Sequence, residues 1–339
     1  MKNLIASIFL ASLIGCAGAG DDAAPGASDS AATETPVLIA DRLPDLRAAS
    51  CPENTAHIPA QPIDMVAEPV PLGGAEADAL TGARFVGAWH LTSDEPNVGG
   101  LSGLAALPGG GLLAVSDAGA FVWIDIADDE PTGQARISYM RGADDTLLSG
   151  KTKGDSEGLV LVEGVALVSF ERDHRILAFD IETCGAAARG ALVTKIAKTP
   201  SGLPQGFKPN QGAEALMVDQ RGALIAGLET GQAGPSVSAI STLTENGMTF
   251  SERLARPNGP FLVGLEADTD RALGLFRSYA PAVGNLIEVR AYGSLEEEGE
   301  TLIRLSRPYT VDNFEGLAFR EQFGKRYLYI VSDDNFNNC

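Results

Sequence analysis

The sequence predicts an all-β chain: a β-propeller of about five or six four-stranded blades, the last of them complete or incomplete. Three observations carry that expectation. A polar residue, Gly-Leu or Ala-Leu, a turn and an apolar strand ending in a charged residue recur about every 50 to 57 residues, near the length of one blade. The strands run about four to seven residues between Gly, Asp or Asn turns. Convincing amphipathic helices are absent, so strand edges must be managed within the sheets, which radial repetition does around a central channel. A β-sandwich array is the second architecture that fits.

Five copies of the unit can be read in order. Ser102-Gly103-Leu104 leads to Leu112–Asp117, Glu157-Gly158-Leu159 to Val165–Glu171, and Glu214-Ala215-Leu216 to Ala223–Glu229. Val263-Gly264-Leu265 leads to Ala272–Arg277, and Glu315-Gly316-Leu317 to Tyr327–Asp333. Pro108-Gly109-Gly110-Gly111 and Gln220-Arg221-Gly222 stand where hairpin loops would join paired strands.

Ahead of the repeats, Met1-Lys2-Asn3 precedes an apolar run from Leu4 to Ile14, the order of an export signal, and the run is too short to span a bilayer. Residues 1–15 are therefore expected to be a signal peptide. Leu13-Ile14-Gly15-Cys16 resembles the bacterial lipobox, which implies lipidation at Cys16 and a cell-envelope protein whose only membrane contact is its lipid anchor, facing the periplasm or cell surface from the outer membrane. Residues 16–50 are expected to be a linker, with Gly, Ala, Ser and Asp dominating its first part, and 51–339 the folded domain. Of the remaining cysteines, Cys51 and Cys184 are expected to pair, leaving Cys339. With 45 acidic against 25 basic residues the charge is −20, which excludes nucleic acid as a partner.

A group of motifs covering roughly Ala83 to Asn335 carries a family resemblance: Trp89-His90-Leu91-Thr92-Ser93-Asp94, Gly100-Leu101-Ser102-Gly103-Leu104, Asp155-Ser156-Glu157-Gly158-Leu159, Gly212-Ala213-Glu214-Ala215-Leu216, Asp312-Asn313-Phe314-Glu315-Gly316-Leu317 and Ser332-Asp333-Asp334-Asn335-Phe336. In their order and spacing they resemble the phytase-like family, named for an esterase-like activity of phytase. The resemblance implies an acidic propeller with a phosphoester-cleaving site. Relatives continue past the last motif into a further strand, so a ring lacking its closing strand, with an unpaired edge, is expected here.

The repeat sets Glu157, Glu214 and Glu315 at one equivalent position and Asp117, Glu171, Glu229 and Asp333 at a second. Around a propeller axis such positions converge, and converging carboxylates raise one another's pKa unless a cation is bound. The first three are the candidate catalytic residues; the second four, with Asp334, are candidate Ca²⁺ ligands, since calcium takes many carboxylate oxygens and also binds phosphate. Arg172, His174 and Arg175 are candidate substrate binders, an Arg being able to grip phosphate with two parallel bonds. The expected activity is calcium-dependent hydrolysis of a small phosphoester at the channel mouth; the alternative is a non-catalytic ligand-binding or scaffold propeller, since this fold hosts both. No histidine has zinc-site spacing.

Overall fold

The computed structural model describes residues 3–13, 35–206, 208 and 211–336. Cys16, most of the expected linker and Cys339 lie outside them. The chain opens with β1 (Asn3–Leu13), α1 (Ile39–Ser50), β2 (Gln61–Pro69) and β3 (Ala83–Ser93). Then follow β4 (Leu101–Ala106), β5 (Leu112–Ser116), β6 (Ala120–Ala127) and β7 (Glu130–Tyr139), and after them β8 (Ser156–Val162), β9 (Val165–Phe170), β10 (Arg175–Asp180) and β11 (Ala191–Lys195). The next strands are β12 (Ala213–Val218), β13 (Leu224–Leu228), β14 (Val237–Thr242) and β15 (Glu252–Ala255), then β16 (Phe261–Ala267), β17 (Ala272–Ala280), β18 (Gly284–Tyr292) and β19 (Glu300–Leu305). β20 (Phe314–Gln322) and β21 (Lys325–Ser332) complete the series.

Strands β8–β11, β12–β15 and β16–β19 form three separate four-stranded antiparallel sheets. The other nine strands make one sheet in the order β20-β21-β1-β3-β2-β7-β6-β5-β4. The innermost strands β4, β8, β12, β16 and β20 pack against one another in a cycle, so the sheets stand around a common axis as a β-propeller. Their sides interlock through apolar clusters, one of which joins Leu167 and Ile176 to Leu216, Leu224 and Ala226 of the next sheet.

Each innermost strand breaks register with its partner at the same repeat position: between Leu101 and Gly103, Ser156 and Leu159, Ala213 and Ala215, Leu262 and Gly264, and Phe314 and Gly316. A bulge of this kind leaves one residue unpaired and re-aims its side chain. The skipped residues include Ser102, Glu157, Glu214, Val263 and Glu315, so that four of the five copies set a polar side chain there. The glycine that follows has a reason as well. A Cβ on Gly158 would lie 2.7 Å from the carbonyl oxygen of Glu214, and one on Gly316 2.9 Å from that of Ser102, so adjacent inner strands approach this closely only without a side chain.

Two segments expected to lie outside the folded domain are ordered within it. Residues read as an export signal form β1, a strand between β21 and β3 in which Ile8, Phe9, Leu10 and Ala11 are fully buried. It fills the edge position expected to be open. A strand buried on both faces has the same uninterrupted apolar composition as a signal core, so the run by itself fits either state. The second lies in the expected linker, whose end, Ile39–Ser50, is helix α1. Ile39, Leu43 and Leu46 are buried against Val165, Leu167 and Ile176, a helical spacing that Pro44 and the interspersed charges obscure in the sequence.

The helix is also tied covalently. Cys51 and Cys184 form a disulfide with Cα atoms 5.8 Å apart, and Arg47 pairs with the buried Asp180 at 3.1 Å. The cross-link spans a sequence separation of 133 residues. Constraint of so long a loop is worth about 4 to 5 kcal/mol in the chain-entropy account. Cys51→Ser is expected to lower the melting temperature by roughly 10 °C, at about 2–4 °C per kcal/mol. An unchanged thermal transition would show that the link contributes nothing.

Candidate functional site

The bulged residues and the ends of the second strands meet at one mouth of the channel, in a cavity of about 580 Å³. Its wall holds Ser102, Glu157, Glu214 and Glu315 from the first position and Asp117, Glu171, Glu229, Arg277 and Asp333 from the second. The same backbone bond sets three of the second group: the N–H of Asp117 donates to Gly100 O at 2.9 Å, that of Glu171 to Asp155 O at 2.9 Å, and that of Asp333 to Asn313 O at 3.0 Å. Repetition of the chain thus becomes a ring of carboxylates.

The fourth repeat breaks the pattern with a cation. Arg277 stands where the other copies carry an acid, and its guanidinium pairs with Glu229 at 2.7 Å and Glu315 at 2.9 Å. Asn313 donates to Glu315 at 2.9 Å and is itself hydrogen-bonded to Arg277. On the other side of the mouth, Asp155 accepts from Arg172 at 2.7 Å and from Lys151 at 3.2 Å, and Lys151 also bonds Asp117. Arg172 holds a left-handed backbone with φ 58°, a conformation that a non-glycine residue adopts at some cost and that recurs at functional loops.

The carboxylates outnumber the cations, and their proton affinities record it. Burial, followed by the charges of Glu315 and Glu171, pushes Glu157 well above the usual carboxylate range. Burial and then Glu157 do the same to Glu214. Glu171 is raised to about 7 by burial, against the hydrogen bond from Glu214, and Glu315 to about 8 by burial, against the opposing charge of Arg277. Asp333 rises to about 7, again through burial. Asp117 is raised by burial although Lys151 pulls it down. Burial works against the Lys151 ammonium too, but Asp117 and Asp155 more than offset this and hold it charged.

Within the ring, Asp155, Glu157 and Glu171 each offer an oxygen, and these oxygens lie within 4.8 Å of one another. Three buried carboxylates this close could hold a metal ion. An independent sign is Asp117 Oδ1, which is buried and accepts no hydrogen bond. An acceptor stranded in this way is satisfied by a cation better than by any donor present.

Some of the residues singled out in the sequence fall elsewhere. His174 is buried outside the cavity wall, with burial and then Lys198 lowering its pKa. Arg175 also lies off the wall; its guanidinium bonds the carbonyls of Asp173 and Lys153 and sits 4.4 Å over the Phe170 ring. Asp334 accepts from the backbone N–H groups of Gly100 at 2.7 Å and Phe336 at 3.2 Å, as a turn-stabilising aspartate does. Lys151, Asp155, Asn313, Tyr279 and Asn285 line the site without having been picked out. For Asp155 and Asn313 the signal was available: each stands two residues before a bulged glutamate, at the repeat position that Gly212 holds in the third copy.

A larger cavity, about 770 Å³, opens beside β13 and β17, and its arginines make local bonds. Arg221 pairs with Asp219 and Arg271 with Asp268, each at 2.9 Å, and Arg253 bonds the carbonyl of Phe250.

Comparison with known proteins gives one family match. The phytase-like model, described as esterase-like activity of phytase, matches residues 96–336. No curated protein matches. Among solved structures, an α-L-arabinofuranosidase from Clostridium thermocellum is 13% identical over 67% of this chain and 80% of its own, with a TM-score of 0.43. A PQQ-bound aldose sugar dehydrogenase from Streptomyces coelicolor is 14% identical over 69% and 94%, at 0.37. A glutaminyl cyclase from Myxococcus xanthus is 10% identical over 81% and 97%, at 0.38.

Proposed function

The chain belongs to the phytase-like family, and from that membership and the acidic channel mouth we propose that it is a calcium-dependent phosphoesterase acting on a small phosphomonoester or phosphodiester. The nine-stranded sheet is read as two blades, β20-β21-β1-β3 and β4–β7, bridged by β2, which makes five blades around the channel. The observation that carries the functional reading is the trio Asp155, Glu157 and Glu171, buried with oxygens within 4.8 Å. Three such groups are stable together as anions only with a cation between them.

Asp155, Glu157 and Glu171 would hold Ca²⁺, with Asp117 Oδ1 as a further donor. Bound there, the ion would supply charge neutralisation for the phosphate and acidify a water. The protein's own groups do the rest. Lys151 and Arg172, at the rim, meet the phosphate oxygens and orient the ester. Glu214 accepts the proton of the attacking water, a role suited to a carboxyl whose proton affinity burial has raised well above the usual carboxylate range. Water adds to phosphorus, the ester P–O bond breaks, and the leaving oxygen takes up the proton that Glu214 received, which restores the free carboxylate. By its lipobox-like Leu13-Ile14-Gly15-Cys16, a form of the protein cut ahead of Cys16, and so without β1, is further proposed to be anchored in the cell envelope through that residue.

Calcium and pH test the site together. Carboxyls that titrate near 7 to 8 when folded, and near 4.5 when unfolded, keep protons in the native state that the unfolded chain has released. Stability without calcium is therefore highest below about pH 5 and declines as pH rises through 7 to 8. Excess calcium should flatten the part of the decline that comes from Glu171, because it replaces that proton and binds only the native state. Melting curves from pH 5 to 9, with calcium and with chelator, measure this. The same pH slope in both would remove the cation site.

A further inference from the structure

The rim of the acidic cavity carries an element that none of the roles above uses. β17 and its partner β18 are 9 residues each, whereas the second strands β5, β9, β13 and β21 are 5, 6, 5 and 8. The extra length continues the ladder past Arg277, through Ser278↔Leu286 and Tyr279↔Asn285 to Ala280↔Gly284. Side chains two apart on a strand share a face. Arg277 reaches the carboxylates, so Tyr279 projects over the same cavity, and Asn285 stands opposite it; both line the wall. Tyr279 is 68% exposed, unlike the aromatic side chains of the blade cores. The hairpin therefore holds an open aromatic face beside the polar, acidic floor of the cavity.

We propose that Tyr279 is a stacking platform for the organic group of the substrate, and that this group is a flat conjugated ring carrying a single phosphate. This rests on the reading of the mouth as a phosphoester site. Charge argues for the single phosphate. The wall carries Asp117, Asp155, Glu157, Glu171, Glu214, Glu229, Glu315 and Asp333 against Lys151, Arg172 and Arg277, and each of these three cations already pairs with a carboxylate. A polyphosphorylated ring would bring repulsion that the three cannot neutralise, whereas one phosphate is matched by one divalent ion. The apolar face argues for the ring, since an exposed Tyr gains most from an offset stack with another flat π-system.

The test is equilibrium binding of phenylphosphonate and methylphosphonate, in the presence of calcium, to the full chain and to Tyr279→Ala and Tyr279→Phe. Neither compound can be hydrolysed, so the readout is independent of turnover. The unaltered protein should prefer the phenyl compound by roughly three- to tenfold, the range of an aromatic pair. Tyr279→Ala should lose that preference while binding methylphosphonate as before, and Tyr279→Phe should keep it. A preference retained in Tyr279→Ala, an unaltered protein indifferent to the phenyl group, or binding of neither compound would overturn the platform. Turnover of an aryl phosphate is measured separately. A phenyl preference without turnover would end the hydrolase reading and leave the Tyr279 assignment standing.

Discussion

Glu157→Gln should lower turnover of an aryl phosphate with calcium by at least about a hundredfold, the scale on which metal ligands and acid–base groups act, while leaving the folded protein as stable as before or more so. The pairing of these two effects is what separates the proposed role from a structural one. Glu157 is buried among Asp155, Glu171, Glu214 and Glu315, and without a cation its charge is unfavourable to the fold. An amide has the shape of the protonated acid but lacks the negative charge a cation needs. At pH 8 and in chelator, the variant should therefore melt higher than the unaltered protein; with calcium the order should reverse, because only the unaltered protein gains the ion's stabilisation. Glu229→Gln is the control. Glu229 meets Arg277 and not the trio, so its exchange should leave calcium stabilisation in place. A Glu157→Gln protein that is inactive and also destabilised in chelator would mean that the carboxylate supports the fold, and equal activity would mean that the mouth does no chemistry with it.

Much of this site can be read in the sequence because a bulge does something positional. In every inner strand it skips a residue at a fixed offset from Gly-Leu or Ala-Leu, so the chain's period of polar residues is the geometry of the ring. Glu157, Glu214 and Glu315 follow from that alone. Asp155 and Asn313 follow from the same alignment two residues earlier, but only when the offset is compared across copies. Other members carry no such signal. Lys151 arrives from a single helical turn, Gly150–Lys153, ahead of β8, and its place between Asp117 and Asp155 is a fact of tertiary structure. Tyr279 reaches the rim because one hairpin is longer than its counterparts, and a strand's length beyond the repeat is invisible to a pattern that ends at the charged residue. Conversely, His174 and Arg175 lie next to Arg172 in sequence yet point away from the mouth: the left-handed turn at Arg172 redirects the chain into β10, where Arg175 is the first residue of the ladder. Nearness in sequence to a site residue is poor evidence across a turn.

Removal of residues 1–15 should lower the melting temperature by at least about 10 °C. β1 lies between β21 and β3, and it divides its side chains between two apolar clusters: Ile8 and Leu10 pack with Trp89, Leu91, Tyr329 and Val331, and Phe9, Ala11 and Leu13 with Ala83, Ala88, Leu328 and Ile330. A single buried Phe cut back to Ala costs roughly 3–5 kcal/mol, and at about 2–4 °C per kcal/mol Phe9 alone accounts for the expected shift. Loss of the strand also strips hydrogen-bond partners from β21 and β3 together, which turns two interior ladders into open edges prone to pairing with other chains. The expected result is thus a lower transition accompanied by association. The same segment has the charge-then-apolar order of an export signal, and the two uses exclude each other: a chain cut before Cys16 no longer contains β1. The mass of the protein recovered from a bacterial envelope reports which use prevails, and a synthetic peptide of residues 3–13, added to the shortened chain, asks whether the position accepts a strand supplied from outside. Recovery of the higher melting temperature with that peptide would establish the position as a strand acceptor. A shortened chain that melts where the full one does would show that β1 adds nothing to the closure of the ring.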